Sequence, residues 1–355
     1  MRVFQNNGLS RGFRANRHNE PYRNFAAGRA QFLDTRFTAP HILLPVLSES
    51  PNAFYTNGDD ERLQTFWARE HGLNSSNPEQ ILLAQIEHHR TEVFYNLDPM
   101  RYGSSFVRKL PGCVKKTICW RAAPSGNVDL TGYDLVVCNF PSILEDWRRK
   151  GCKTSYFFPA HDSAMDAYAE SRRNEFDLIF IGGFSRHHVK RSEALKAAAS
   201  APGINARFYL EDSRLTRLAD FLPFVPGLGA YRHPEEIRAI RAGPIYGRDA
   251  YAALSRTRIA FNGAVDMAGE DRGNMRCFEA NGCGAVLLTD SGRYPEGFVD
   301  GETMVTYSST GQIPKLIERL VADVSWAHSI AQAGRAMVRD RYSKKRQWAM
   351  FQELV

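Results

Sequence analysis

The chain has 355 residues, of which 43% are hydrophobic and 24% charged, with a formal net charge of +7. These are ordinary values for a soluble globular protein, and the length suggests two domains rather than one core. No apolar run approaches the roughly 18–20 residues needed to cross a bilayer, and MRVFQNNG lacks the apolar stretch of a signal peptide, so the cytoplasm is the expected compartment.

In chain order, MRVFQNN reads as a short strand followed by a polar, glycine-containing loop over 6–17. Residues 21–37 read as a helix, and the continuous apolar run HILLPVL (41–47) as a strand buried on both faces. Helices follow at 59–71, with an acidic start, and at 77–90, where Asn77 caps and Pro78 occupies the first turn. VFYNLD (93–98), KKTICW (115–120) and DLVVCN (134–139) read as strands. PSILEDWRRKG (141–151) reads as a helix stopped by Gly151, and SYFFPA as one more strand. The polar stretch 161–175 interrupts this alternation. DLIFIGGFS (177–185) restarts it, followed by a helix over about 187–200, the strand RFYLED, and helices at 235–242 and 248–256. The strands RIAFNG (258–263) and AVLLTD (285–290) flank a helix of about two turns. The strand MVTY (304–307) and helices at 313–323 and 325–341 close the pattern.

Repeated strand–helix–strand units imply parallel sheets with helices on both faces. The expected fold is therefore α/β, with two doubly wound Rossmann-like domains facing a central cleft. One covers about 1–160 and the other 161–341, and a terminal helix at about 342–355 is expected to pack back on the first. Ligands in such sheets bind beyond the carboxyl ends of the strands.

Charge and cysteine content narrow the partners. Arg2, Arg11, Arg14, Arg17, Arg23 and Arg29 crowd the first thirty residues, and Arg335, Arg339, Arg341, Lys344, Lys345 and Arg346 crowd the end. No known module of basic residues interleaved with stacking aromatics is found, so nucleic acid is not an expected partner. Peripheral contact of the arginine-rich ends with the anionic inner membrane is compatible with the pattern. The cysteines, Cys113, Cys119, Cys138, Cys152, Cys277 and Cys283, form no CxxC pair and have no histidine at zinc-finger spacing, so reduced thiols and no structural metal are expected.

The chemistry concentrates in residues 262–290. Asn262 ends a strand, and GAVDMAGEDRG forms a loop. Asn274 then caps a short helix that ends at Gly282. A helix start offers unpaired N–H groups and partial positive charge to a phosphate. Arg276 in its first turn adds a formal charge. The Glu279 carboxylate can accept hydrogen bonds from a sugar diol such as a ribose. Asp271 lies eight residues earlier in the loop facing the expected cleft. Gly282 and Gly284 allow tight passage into the next strand.

The string NMRCFEANGCGAVLLTD resembles the C-terminal domain of group 1, family 4-like glycosyltransferases of GT-B fold, and most nearly their CgeB-like branch. DLIFIGGFSRHHVKRSEAL upstream, IYGRDAYAALSRTRIAFNGAVDMAGEDRGNMRCFEA and the trailing GRAMVRDRYSKKRQW agree with it. The resemblance covers about 177–350; the first half matches only in its order of strands and helices. It implies a glycosyltransferase that uses a nucleotide-diphosphate sugar as donor, without a metal or other cofactor. It also implies that Glu279 contacts the nucleotide ribose and that Asp271, or its neighbour Glu270, contacts the donor sugar. Arg186, Lys190 or Arg191, after Gly182 and Gly183, would contact the diphosphate.

On the acceptor side the candidates lie at strand ends of the first domain: Asn7, Gly8, Glu49, Asp98 and Arg121. Asp98 or Glu49 would serve as the base of an inverting enzyme. Asp98 alternatively caps the loop before Pro99, and Arg121 alternatively pairs with a carboxylate. His161, in PAHD, is either a nucleotide neighbour at the hinge or structural. His187 and His188 border the phosphate loop, and His88 and His89 end a helix as solvated residues. The acceptor stays open among glycan, lipid-linked sugar, protein and small metabolite. The alternatives to sugar transfer are a nucleotide-sugar epimerase, a polyol-phosphate transferase, and a non-catalytic binding protein that keeps the fold.

Overall fold

The structure is a computed structural model, and it describes residues 1–16, 21–124, 126–184, 189–222, 224–263 and 268–355. The chain divides into two compact units: Met1–Ala160 with Lys344–Val355, and His161–Ser343.

Unit 1 holds a six-stranded sheet made of β1 (Val3–Asn6), β2 (Ala53–Thr56), β3 (Val93–Asn96), β4 (Lys116–Trp120), β5 (Leu135–Cys138) and β6 (Thr154–Tyr156). Their spatial order is β2-β1-β3-β4-β5-β6, and every pairing is parallel. A parallel sheet needs crossovers on its faces, which the helices Phe25–Asp34, Glu61–Glu70, Pro78–His88 and Pro141–Arg149 supply. One helical face of this unit buries Tyr22, Phe25, Leu63, Trp67 and Ile81 together. The terminal helix Lys344–Glu353 belongs to this unit, where Phe351 meets Tyr95 and Phe157.

Unit 2 holds β7 (Phe176–Gly183), β8 (Ala206–Glu211), β9 (Arg241–Ala242), β10 (Thr257–Phe261), β11 (Val286–Asp290) and β12 (Val305–Tyr307). The order β12-β11-β10-β7-β8-β9 is again parallel throughout. Read from the other edge it is the Rossmann order 3-2-1-4-5-6, which reverses between β7 and β10. Its core joins Leu178, Phe180, Phe208, Ile259, Phe261 and Leu288 to Leu195, Ile313, Ile317 and Ile330 from the helices.

The run 41–47 is not a strand. It forms a 3-10 turn at Ala39–His41 and a helical turn at Leu44–Leu47, and the second strand of the sheet is AFYT, at 53–56. Pro40 and Pro45 each remove a ladder donor, which disfavours a buried strand. The segment is anchored instead by Gln5, whose amide donates to the His41 carbonyl at 3.1 Å and accepts from the Leu43 N–H at 2.9 Å. Four further differences are local. Arg11–Asn16 forms a short helix inside the expected loop. Arg214–Phe221 is helical, and Arg241–Ala242 adds an edge strand. His89 is not solvated, because its ring lies against Phe4 and Phe54.

Candidate functional site

In unit 2 the candidate residues gather at the carboxyl ends of β10 and β11, beside the reversal of strand order. Asn262, directly after β10, donates to Thr289 Oγ1 at 3.3 Å and accepts from Asn274 Nδ2 at 3.2 Å. Asn274 occupies the N-cap position of the Met275–Gly282 helix, but its side chain makes no cap hydrogen bond. It is committed to Asn262 and to the Cys277 thiol. Apart from the Cys277 N–H, which donates to the Asn274 carbonyl at 2.9 Å, the first-turn amides therefore keep their hydrogen-bonding capacity for a ligand. The C-terminal end of the helix is fixed by Gly282, where a Cβ would collide with Met165 and come within 2.9 Å of His161. His161 is buried beside Asp166, and burial pushes its ring to lower pKa.

Glu279 projects from this helix and is only 2% exposed. Its Oε2 lies 2.6 Å from Arg276 Nη1, yet neither atom has a hydrogen-bond partner, and Arg276 Nε is equally unsatisfied. The two groups are close enough to attract but are not aligned to bond. Burial pushes the Glu279 carboxyl up, the Arg276 charge pulls it down, and the nearby Asp162 adds a further push upward. Tyr251 donates to Asp162 at 3.4 Å on the other side of this cluster.

Asp271 is 1% exposed, and its Oδ1 receives Arg293 Nε at 2.6 Å and Nη2 at 2.5 Å. The loops carrying the two residues are zipped together by backbone bonds. Arg272 N–H donates to the Arg293 carbonyl at 2.9 Å, and Arg293 N–H donates to the Glu270 carbonyl at 2.7 Å. A side chain at Gly292 would place its Cβ 2.7 Å from that Glu270 oxygen, so the approach requires glycine. Glu270 itself points into solvent. Next in the chain, Arg272 pairs with Asp290 at the end of β11, and burial raises the Asp290 carboxyl against the pull of Arg272.

Of the basic candidates, Arg186, with His187 and His188, lies outside the described residues. Gly183 ends β7 with open space where a Cβ would stand. Lys190 is exposed on the Val189–Ala199 helix, whereas Arg191 reaches the carbonyl of Gly263 beyond β10, at 3.5 Å from its Nη2.

In unit 1 a second group sits at the ends of β1, β2 and β3, also at a reversal of strand order. Asn7 is buried and donates to Thr38 at 3.2 Å. Gly8 packs on Asp98, whose Cγ would lie 2.8 Å from a Cβ there. Asp98 lies 3.3 Å from Arg101 Nε. Asp59, absent from the sequence-based candidates, accepts the Leu9 N–H on both oxygens, at 3.1 and 3.0 Å, and pairs with Arg14. Burial raises both carboxyls, and the Asp98 charge raises Asp59 further. Placing the strand at 53–56 would have exposed Asp59 as a strand-end residue. Arg121 follows β4, where burial lowers its pKa and its Nη2 donates to the Pro124 carbonyl at 3.4 Å. Glu49 does not join this group. It is exposed, precedes the amino end of β2, and takes a left-handed conformation with φ 54°.

Among the described residues, Asp212, Asp220 and His233 form the one group whose ligand atoms lie within 4.8 Å of each other, as a metal would need. Arg241 pairs with both of these aspartates, so one positive charge already offsets part of theirs. No helix among the described residues is long and apolar enough to cross a membrane.

Residues 187–353, which contain Asp271, Arg276 and Glu279, match the model of the family described as glycosyl transferase-like. Over that stretch, just under half of the chain, the sequence is similar to the glycosyl transferase-like family. The match is to this broad family; the narrower CgeB-like branch rests on the sequence resemblance alone. No curated protein matches the chain significantly. Solved structures agree in fold over the whole length. Alr3699/HepE of Anabaena, in complex with UDP and glucose, has a TM-score of 0.62 at 11% identity, covering 99% of this chain and 98% of that one. Sucrose-phosphate synthase of Thermosynechococcus elongatus has 0.54 at 13% identity, covering 99% and 97%. A UDP-forming α,α-trehalose-phosphate synthase of Burkholderia xenovorans has 0.56 at 12% identity, covering 99% and 98%. The glycosyltransferase has the GT-B fold, with one Rossmann-like domain in each unit.

Proposed function

We propose that this glycosyltransferase moves a sugar from a nucleoside-diphosphate sugar, bound by unit 2, to an acceptor recognised by unit 1. The observation that carries the reading is the pair Glu279 and Arg276: a buried carboxylate oxygen and buried guanidinium nitrogens that lack hydrogen-bond partners, on the first turns of a helix with an uncapped start. Buried polar groups left unsatisfied are costly, and a ligand that supplies a diol and a phosphate would satisfy them. Glu279 takes the ribose hydroxyls, and Arg276 and the helix amides take the diphosphate. Arg191 supplies further positive charge toward the same strand ends. Asp271 faces the donor sugar. The UDP, and the glucose beside UDP, in complexes of the similar Anabaena protein support this class of donor.

The reaction breaks the bond between the anomeric carbon and the diphosphate oxygen, so negative charge grows on the leaving group. Positive groups already positioned there stabilise the transition state more than the ground state. This reading assigns the task to arginines and helix amides and needs no metal ion. If the anomeric configuration inverts, Asp98 takes the acceptor proton, and its upward-shifted carboxyl suits a base near neutral pH.

Calorimetric titration with UDP, GDP and dTDP tests the reading. Binding of at least one of them is expected, with a loss of tenfold or more in Glu279→Gln. Absence of binding, or unchanged affinity in the variant, would overturn it. Sugar release or isomerisation without any acceptor would replace transfer with hydrolysis or epimerisation.

A further inference from the structure

Unit 2 carries an exposed apolar surface that the donor site does not use. Within the Arg214–Phe221 helix, Leu215 and Leu218 are each 43% exposed and Phe221 is 80% exposed; Phe224, three residues on, is 78% exposed. The opposite side of the helix is buried through Thr216 and Ala219. Spacing of three residues places Leu215, Leu218 and Phe221 on the outward side, together with Arg214 and Arg217. Both arginines are exposed, and among the described residues neither has an acidic partner. The nearby acids are spent internally, since Asp212 meets His233 at 2.7 Å and Arg241 pairs with Asp220.

This surface is built rather than frayed. Arg232 donates to the carbonyls of Ala219, Leu222 and Val225 at 3.2–3.3 Å, which fixes the helix end and the turn that carries Phe224. Two phenylalanines so exposed, beside exposed arginines with no acidic partner among the described residues, suit a partner that is apolar inside and negatively charged at its surface. An anionic lipid bilayer has that order of layers, and aromatic and leucine side chains enter it while arginines stay at the headgroups.

We infer that Leu215, Leu218, Phe221 and Phe224, with Arg214 and Arg217, dock the protein on an anionic membrane surface. The helix lies in the interface and does not span. Nothing in this depends on the donor reading, because none of these residues belongs to the nucleotide site.

The test is co-sedimentation of the full chain with vesicles of phosphatidylcholine alone and of phosphatidylcholine with phosphatidylglycerol. Binding to the mixed vesicles is expected, weakening as salt rises. Phe221→Ser with Phe224→Ser should lower the partition constant by tenfold or more, and Arg214→Ser with Arg217→Ser by roughly fivefold per arginine. Because all four positions are exposed, the thermal midpoint should not move, which separates loss of docking from loss of fold. Failure to bind mixed vesicles, or binding indifferent to both double variants, would overturn the inference. So would light scattering that shows the phenylalanine variant losing only self-association, which would make the patch a subunit interface.

Discussion

Arg293 holds Asp271 through two nitrogens on a single carboxylate oxygen, while the backbone of residues 270–272 runs alongside it in register. The other Asp271 oxygen makes neither of these two contacts. The charge that would face the donor is set by a residue 22 positions further along the chain, which no short motif contains.

Removing Arg293 should leave a buried carboxylate without its main counter-charge. Arg293→Ala is expected to lose about 1–3 kcal/mol of stability. Its turnover should fall further than its donor affinity, since the nucleotide contacts stay in place. Arg293→Lys should recover part of the rate, as a single ammonium replaces the two-pronged contact. Equal losses in kcat and donor affinity would show that Arg293 acts by binding the nucleotide instead.

Glu279→Gln separates binding from folding. The folded carboxyl is shifted upward, mainly by burial. A raised acid contributes stability below its unfolded value of 4.5 and loses it as pH rises through the folded value. The ligand-free variant, with no charge to bury, should therefore be as stable as the parent at neutral pH or more so. Its nucleoside-diphosphate affinity should fall tenfold or more, a change of about 1.4 kcal/mol or greater. Melting curves with and without nucleotide check both halves, since a ligand that binds only the folded state raises the midpoint.

His41 has the opposite sign. Burial and the neighbouring Lys344 lower its pKa from 6.5 to about 3. Above pH 6.5 the ring is neutral in both states, so its contribution is complete. Between pH 6.5 and about 3 the unfolded chain takes up a proton that the folded chain refuses, and stability falls by at most about 1.4 kcal/mol per pH unit. His89, lowered to about 4, acts in the same direction over a narrower window. His41→Gln should flatten the acid side of a plot of melting midpoint against pH. An unchanged slope would place the acid sensitivity elsewhere.

The alternation of apolar strands with capped helices was legible in the sequence because most of the strands are dense apolar runs bounded by polar turns. AVLLTD and DLIFIGG lie where the pattern put them, and so does the Met275–Gly282 helix. The segment 41–47 misled because a short apolar run does not distinguish a buried strand from a buried turn. The two prolines are the signal against a strand, and the four residues of AFYT carry too little periodicity to stand out. Glu49 followed that error to the wrong end of the sheet. The pairings of Asp271 with Arg293, Asp290 with Arg272 and Asp59 with Arg14 depend on which loops meet at the strand ends, so they emerge only in three dimensions.

Lys344 opens the terminal helix with a buried ammonium that donates to the carbonyls of Ala39, Pro40 and Ile42, at 2.6, 3.0 and 2.7 Å, and to Gln347 at 3.1 Å. A buried lysine is tolerated only when its donors are satisfied, and here three backbone oxygens of the irregular 39–42 segment do so. The same oxygens gain their partner only if the terminal helix is in place, so the segment and the helix hold each other. Lys344→Met keeps most of the apolar stem but strips the donors, and a loss of about 3 kcal/mol is expected from the carbonyls left behind. Detachment should precede global unfolding, because Lys344, together with Gln347, which donates to Pro40 and Phe158 at 2.9 and 2.8 Å, ties the helix down. Limited proteolysis should therefore remove residues 344–355 from the variant under conditions where the parent is intact. Equal resistance of the two proteins would mean that aromatic packing of Phe351 against Tyr95 and Phe157 holds the helix without the lysine.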